Sequence, residues 1–288
     1  MAKTVLGIIG GSGVYQIEGL EHPRWQTVRS PWGLPSDQLL TGTYAGVDMV
    51  FLPRHGRGHV QTPTSINYRA NIDALKRVGV TDVISVSACG SLKEELPPGK
   101  FVIADQFIDR TFAREKSFFG PGFVAHVSLA HPVDTRIADA LQRACAEENI
   151  EYARSGTYVC MEGPQFSTKA ESNLYRSWGA DVIGMTNLQE AKLAREAEIC
   201  YATVAMITDY DCWREGHDAV TVEEIVAVLH KNADNAAKVV KAAVAAMPRE
   251  RTCACATAAQ FAVLTQPDAI PEAAKEKLKL LFGKYLGW

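Results

Sequence analysis

Five short, mostly apolar runs recur along this chain, and each stops at a small or polar residue. Val5 to Ile9 leads into Gly10-Gly11-Ser12-Gly13, and Val47 to Pro53 into Arg54 and His55. Thr81 to Ser87 leads into Ala88-Cys89-Gly90-Ser91, Asp181 to Thr186 ends on a hydroxyl, and Val204 to Thr208 meets Asp209 and Asp211. Runs of this kind read as buried strands. Between them lie stretches of helical spacing. Asn67 to Val78 has Gly79 at its C′ position, Asp134 to Glu148 opens on a capping acid, and Thr168 with Glu171 makes a capping box for a helix that stops at Gly179. Asn187 to Glu198, about Thr221 to Met247, and a last segment from Pro271 complete the helices. Gln38 to Tyr44 forms a hairpin with the second apolar run through Ala45-Gly46, and Phe101 to Phe107 and Tyr158 to Met161 are further strands. Strands alternating with helices imply a three-layer α/β domain, in which ligands sit beyond the strand ends. The five polar strand ends are therefore expected to converge on one site.

A length of 288 residues fits one large domain or two small ones. No repeat, low-complexity tract or long linker divides the chain, so a single domain over residues 1–288 is expected. Composition narrows the function classes. With 47% hydrophobic and 22% charged residues the chain reads as a globular enzyme with a sizeable core. A net charge of −3 gives no support to nucleic acid or an anionic membrane as partner. No run approaches the roughly 18 apolar residues of a membrane span, and the N-terminus lacks a signal-peptide layout, so the cytoplasm is the expected compartment. The seven cysteines show no convincing zinc spacing and read as small buried hydrophobes of a reducing compartment. Cys253-Ala-Cys255 is the exception, a pair able to oxidise or to catch a metal, or else incidental.

Asp209 and Asp211 stand at i and i+2, which puts both on one face of an extended chain. Two acids on one face repel, so either they share a proton or a ligand donates to them. A purine base with N7 and a 6-amino group is such a ligand; a turn of Asx type with solvated carboxylates is the alternative. The stretch Pro53-Arg54-His55-Gly56-Arg57-Gly58-His59 reads as an anion site in which Arg54 offers phosphate a two-pronged charged donor, or as solvated loop charge. Residues 7–13 do not form a G-x-G-x-x-G, and no ribose-binding acid follows at the right distance, so a dinucleotide site is disfavoured. Phe112 to Phe123 is an aromatic loop without periodicity, and the lone His126 after it is open to a structural or a functional reading.

The segments G-I-I-G-G-S-G, P-R-H-G-R-G-H, S-A-C-G-S-L, D-Q-F-I-D-R-T, E-G-P-Q-F-S-T-K-A-E-S, W-G-A-D-V-I-G-M-T and T-D-Y-D-C-W resemble the purine nucleoside phosphorylases. Within that superfamily they are most similar to the trimeric 5′-methylthioadenosine phosphorylases. The resemblance spans about residues 5 to 265 and leaves the C-terminal helix, about 271–285, uncovered. It implies a central mixed β-sheet flanked by helices and phosphorolysis of methylthioadenosine to adenine and 5-methylthioribose 1-phosphate. Phosphate would meet Ser12, Arg54, His55, Ser87, the backbone of Ala88, and Thr186. The base would stack near Phe166 and meet the catalytic pair Asp209 and Asp211, with Met185 against the ribose. The 5′-methylthio group would sit among Val222, Ile225 and Val226, with His126 and Leu264 supplied by a neighbouring subunit of a homotrimer. Phosphate is the co-substrate, and no metal or redox cofactor is implied. Many relatives carry Thr at positions 12 and 87 and Asn at 184, where this chain has Ser12, Ser87 and Gly184. Rival readings are a phosphorylase for 6-oxopurine nucleosides or methylthioinosine, a water-using nucleosidase, and a non-catalytic purine-binding protein. The acid pair favours an amino base, and Arg54 with its hydroxyl neighbours favours phosphate over water.

Overall fold

The computed structural model describes residues 4–11, 17–214, 222–248 and 250–288, with backbone alone at 222–227. Strands β1 (Val5–Gly10), β2 (Glu21–Gln26), β3 (Leu39–Tyr44) and β4 (Val47–Pro53) precede helix α1 (Tyr68–Arg77). Strands β5 (Asp82–Ser91), β6 (Phe101–Val102) and β7 (Gln106–Arg110) lead to α2 (Thr135–Glu147). Next come β8 (Tyr152–Ala153), β9 (Thr157–Met161), α3 (Lys169–Ser177), β10 (Val182–Gly184) and α4 (Asn187–Glu196). The chain closes with β11 (Cys200–Asp209), α5 (Val222–Ala246) and α6 (Glu272–Leu286).

One mixed sheet holds the strands together. Its main path runs β2-β3-β4-β1-β5-β10-β9-β7, with β11, β6 and β8 branching from β5. The first half of β5 lies between β1 and β11, both parallel to it, and its last residues pair antiparallel with β10. The sheet forks there, and the fork opens where β1, β4, β5 and β11 end.

Side-chain alternation divides the core in two. Leu6, Ile8, Met49, Phe51 and Ile84 pack on one face against Ile137 and Leu141 of α2 and Val240 and Val244 of α5. Their neighbours Ile9, Val50, Leu52 and Val83 pack on the other, against Ile72 and Leu75 of α1, Leu193 of α4 and Leu281 and Phe282 of α6. Strands covered on both faces need continuous apolar runs, and the nine residues from Cys200 to Thr208 are all buried. At about 1.5–3 kcal/mol per fully buried large apolar side chain, these two clusters supply most of the fold's stabilisation.

Helix starts and stops follow their sequence signals. Asn67, Asp134 and Thr168 each accept a backbone N–H in the first turn, and the capping box of Thr168 with Glu171 is complete. Gly79 and Gly179 end their helices at φ of 88° and 78°, a region that disfavours any side chain with a Cβ. The hairpin turn at Ala45-Gly46 has positive φ at both residues, matching the twist of β3 and β4.

Four features differ from the sequence reading. The run Phe101 to Phe107 is two strands, because β6 pairs with β11 and β8 whereas β7 crosses to pair with β9. Strand β2 has no counterpart in the sequence reading, since it contains Pro23 and little apolar pattern; it is an exposed edge strand, where a missing N–H costs little. Strand β5 continues to Ser91 through the small residues read as its end. Cys253 is bonded to Cys200, not left as a thiol or joined to Cys255, because β11 begins beside the segment after α5. The other five cysteines are thiols.

The C-terminal helix is built into the fold. Phe282 packs edge-on to Phe119 at 5.5 Å and against Phe123 at 4.9 Å, and the buried Glu198 accepts from the Tyr285 hydroxyl at 2.7 Å and from Lys284. Among the described residues no helix is long and apolar enough to cross a membrane.

Candidate active site

A cavity of about 300 Å³ lies at the fork of the sheet. Strand ends bring Arg54 and His55, Ser87 and Ala88, Met185 and Thr186, and Asp209 and Asp211 to its wall, and Phe166 stands at its mouth. Nine of the proposed site residues thus meet in one place. Ser12 lies outside the described residues, as do the side chains of Val222, Ile225 and Val226. Leu229 and Ala233, further along α5, line the cavity. His126 and Leu264 do not; they lie together on the surface elsewhere, joined by the Ala125–Val263 bridge and the His126 amide donating to the Ala262 carbonyl at 2.9 Å.

The two acids reach the cavity by a route that differs from strand alternation. Strand β11 ends at Asp209 after a bulge between Ile207 and Asp209, and Asp211 sits in the following turn at φ 53°. Bulges of this kind re-aim side chains beside sites. The Asp211 amide donates to Asp209 Oδ1 at 2.7 Å, so an Asx turn is present and serves the site. Thr208 Oγ1 donates to Asp209 Oδ2 at 2.7 Å. Gly90 makes room for the pair, since a Cβ there would stand 3.0 Å from Asp209 Oδ1. Burial pushes the Asp209 carboxyl up, against the pull of the Thr208 hydroxyl and the Asp211 amide. Burial also pushes Asp211 up; the nearby Ser172 hydroxyl opposes this and the Asp209 charge adds to it. Asp211 Oδ2 is buried and has no hydrogen-bond partner among the described residues.

Arg54 corrects one expectation. Its fork does not point free toward an anion but grips Glu190, with Nε to Oε1 and Nη2 to Oε2 at 3.2 Å. Nη2 also donates to Ser85 Oγ at 2.6 Å and Nη1 to the Val86 carbonyl at 3.1 Å. A guanidinium only 2% exposed needs such a counter-charge. Among the described residues four of its five N–H groups find partners, leaving one on Nη1. Beside it, His55 Nδ1 lies 2.9 Å from the Gln61 carbonyl. A carbonyl only accepts, so the proton sits on Nδ1 and Nε2 carries a lone pair. Burial first, then the Arg54 charge, push this imidazole down to about 4, so it is neutral near pH 7. Thr186 is the N-cap of α4 and makes no side-chain cap, so the positive end of that helix also meets the cavity wall.

Other contributors carried weak signals in sequence. Glu190 is one acid in an ordinary helical pattern. Arg114, inside the aromatic loop, donates to the Met185 carbonyl and to Glu162 Oε1 at 2.9 Å, fixing the strand end that bears Met185 and Thr186. Burial works against the Glu162 charge, but Thr64, the Phe112 and Ala113 amides and Arg114 outweigh it and bring the carboxyl down to about 2. His59 stacks on His55 at 4.2 Å between ring centres. At Gly184 a Cβ would stand 2.0 Å from the Tyr158 hydroxyl, so Tyr158 fills the space a side chain would need. Among the described residues the one group placed to hold a metal ion, Asp134, Cys200, Cys253 and Cys255, lies outside this cavity.

A mixed sheet between two helical layers, with acids on one side of a strand-end cavity and an arginine with hydroxyls on the other, defines a member of the phosphorylase superfamily, whose family model matches residues 5–245. The chain is 61% identical to an S-methyl-5′-thioadenosine phosphorylase of Rhodospirillum rubrum over 99% of its own length and 98% of that protein's, and 60% identical to one of Koribacter versatilis over 99% and 98%. A crystal structure of methylthioadenosine phosphorylase sourced from an antarctic soil metagenomic library superposes with a TM-score of 0.92 at 48% identity, covering 96% of this chain and 98% of that one. The chain belongs to the S-methyl-5′-thioadenosine phosphorylase family.

Proposed function

We propose that this enzyme, a pentosyltransferase, phosphorolyses S-methyl-5′-thioadenosine to adenine and 5-methylthioribose 1-phosphate, in purine and methionine salvage. The carrying observation is the unlike acid pair in one cavity: Asp209, held by two donors and pushed toward its neutral form, and Asp211, with a buried acceptor that has no partner among the described residues. Breaking the N-glycosidic bond leaves positive charge on the sugar and negative charge on the purine. A neutral Asp209 delivers its proton to N7, a contribution of about 10²–10⁴ in rate. Asp211 Oδ2 accepts from the 6-amino group.

Phosphate occupies the opposite wall. Arg54's remaining N–H, the hydroxyls of Ser87 and Thr186, the Ala88 backbone and the N-terminus of α4 face it, and Ser12 joins them by family resemblance. His55 Nε2 accepts a hydrogen bond from the hydroxyl of hydrogen phosphate. Phosphate oxygens stabilise the developing sugar cation and then capture it. Phe166 covers the base and Met185 the ribose. Val222, Ile225 and Val226 share the helical spacing of Leu229 and Ala233, a stripe suited to a thioether. His126 and Leu264 complete that pocket from the next subunit of a homotrimer. The reaction needs no metal or redox cofactor, and the enzyme works in the cytoplasm. Incubation with methylthioadenosine, adenosine and methylthioinosine, each with and without phosphate, tests the reading. Phosphate-dependent release of adenine, fastest from methylthioadenosine, is expected; base release without phosphate, or binding without turnover, overturns it.

A further inference from the structure

The C-x-C pair plays no part in this chemistry, yet it stands in a defined cluster. Ligand atoms of Asp134, Cys200, Cys253 and Cys255 all lie within 4.8 Å of one another. They come from three places: the N-cap of α2, the first residue of β11, and the segment after α5. Asp134, Cys200 and Cys255 are buried. We infer that in its thiol form this cluster binds one soft divalent cation of zinc type, and that the Cys200–Cys253 disulfide is the alternative, metal-free state of the same four residues.

The donor set argues for this cation. Three sulfurs and one carboxylate oxygen match a closed tetrahedral site, with bonds of about 2.3 Å to sulfur and about 2.0–2.2 Å to oxygen. Such bonds place ligand atoms less than about 4.6 Å apart, so opening the disulfide calls for only small shifts. Supporting contacts are in place as well. Arg251 Nε donates to Cys200 Sγ at 3.3 Å, and the Ile137 amide donates to Asp134 Oδ1 at 3.1 Å. Arg136 Nε stands 3.8 Å from the same oxygen. Three thiolates and a carboxylate carry four negative charges; the cation offsets two, and Arg251 faces the remainder together with Arg136, whose other edge is paired with the buried Asp82.

The exchange balances with a thiol reductant. A dithiol passes two electrons and two protons to the Cys200–Cys253 bond, breaks it to two thiols, and itself becomes a disulfide. Cation binding then displaces one proton from each of Cys200, Cys253 and Cys255. The four cysteines outside the cluster are thiols, so a compartment that keeps those reduced favours the cation state. The cation would pin the start of β11 to the segment leading to Ala259 and Leu264, which docks against Val124.

The test uses the full chain, reduced anaerobically with a trialkylphosphine, freed of metal and titrated with Co²⁺. One equivalent should bind with thiolate-to-cobalt charge-transfer and tetrahedral d–d bands, and Zn²⁺ should abolish both. The disulfide form should show neither. Cys255→Ser keeps the Cys200–Cys253 pair, and Asp134→Asn keeps a good cap. Outer-shell partners alone are worth about 10–100-fold in metal affinity, so each variant should bind at least about tenfold more weakly. Zn²⁺ should raise the melting temperature of the reduced wild type by more than that of Cys255→Ser at the same concentration. Absence of thiolate bands in the folded, reduced wild type, or an affinity unchanged in both variants, overturns the site. None of these readouts depends on the nucleoside chemistry.

Discussion

Among the described residues Asp209 accepts from two donors and Asp211 Oδ2 from none, an asymmetry that underlies the roles proposed for them. Because burial raises Asp209, its neutral form persists at pH values where an ordinary carboxyl is charged. The proton is therefore present on the acid side, and kcat/KM for methylthioadenosine should fall as pH rises through the raised value. Asp209→Asn should lower kcat/KM by about 10²–10⁴ and flatten that limb; a variant that keeps the rate and the limb removes Asp209 as the acid. Asp211 works the other way. As a carboxylate it accepts from a 6-amino group, and only when protonated can it donate to a 6-oxygen. The kcat/KM ratio of methylthioadenosine to methylthioinosine should therefore shrink toward acid pH, and shrink at all pH values in Asp211→Asn; a ratio fixed in both cases excludes the contact. Arg54 calls for a paired test, since Arg54→Met alone leaves Glu190 buried without its partner and should cost about 3–5 kcal/mol of stability. Adding Glu190→Gln should recover part of that loss. The phosphate KM should stay raised in the double variant, by the roughly 1.5–3 kcal/mol of a charged hydrogen bond. An unchanged KM in that stable background would take Arg54 out of the phosphate site.

Strand ends were legible as elements because a strand buried on both faces must be apolar and a cavity wall must be polar, so the boundary between them is written in residue type. Val204 to Asp209 shows this, and so does Arg54 at the end of β4. What completes each end was not legible, because partners come from distant elements with ordinary local patterns. Glu190 is 136 residues from Arg54, and nothing around it on α4 marks it out. Arg114 stands in an aperiodic loop, where spacing carries no information. The Asx turn at Asp209 and Asp211 was legible as an alternative, but the bulge near Ile207 that moves the pair out of strand alternation was not, because periodicity carries no signal for a bulge. Gly184 was visible as a departure from its relatives, but its cause sits on the next strand, where the Tyr158 hydroxyl takes the room. Gly184→Ala should then cost about 1–3 kcal/mol by overpacking. Combined with Tyr158→Leu it should cost less than the sum of the two changes, which urea denaturation of all three variants would measure. Additive costs would mean that the two positions do not compete for one space.

For the molecule as a whole, one chain gathers the acids, the arginine and the strand-end hydroxyls into a cavity but leaves His126 and Leu264 on a different surface. That surface carries exposed apolar side chains, with Phe261 90% and Leu264 63% exposed. Both observations have one explanation if these residues cover a neighbour's pocket in a closed ring. Asp209 and His126 of a given working site then belong to different chains. Asp209→Asn disables a site from within, whereas a bulky charged change such as Leu264→Asp disables the site next door. Each variant alone should be poorly active on methylthioadenosine. Mixed in equal amounts, dissociated and reassociated, the two should regain activity, because random closure of a three-membered ring pairs an intact Asp209 with an intact neighbouring Leu264 in about a quarter of the sites. Light scattering on the same mixture should show assemblies of the wild-type size. Reassociated mixtures with no more activity than their parents would place Leu264 and Asp209 in the same chain's site or in no shared site. A fully active monomer at assay concentration would dispose of the ring altogether.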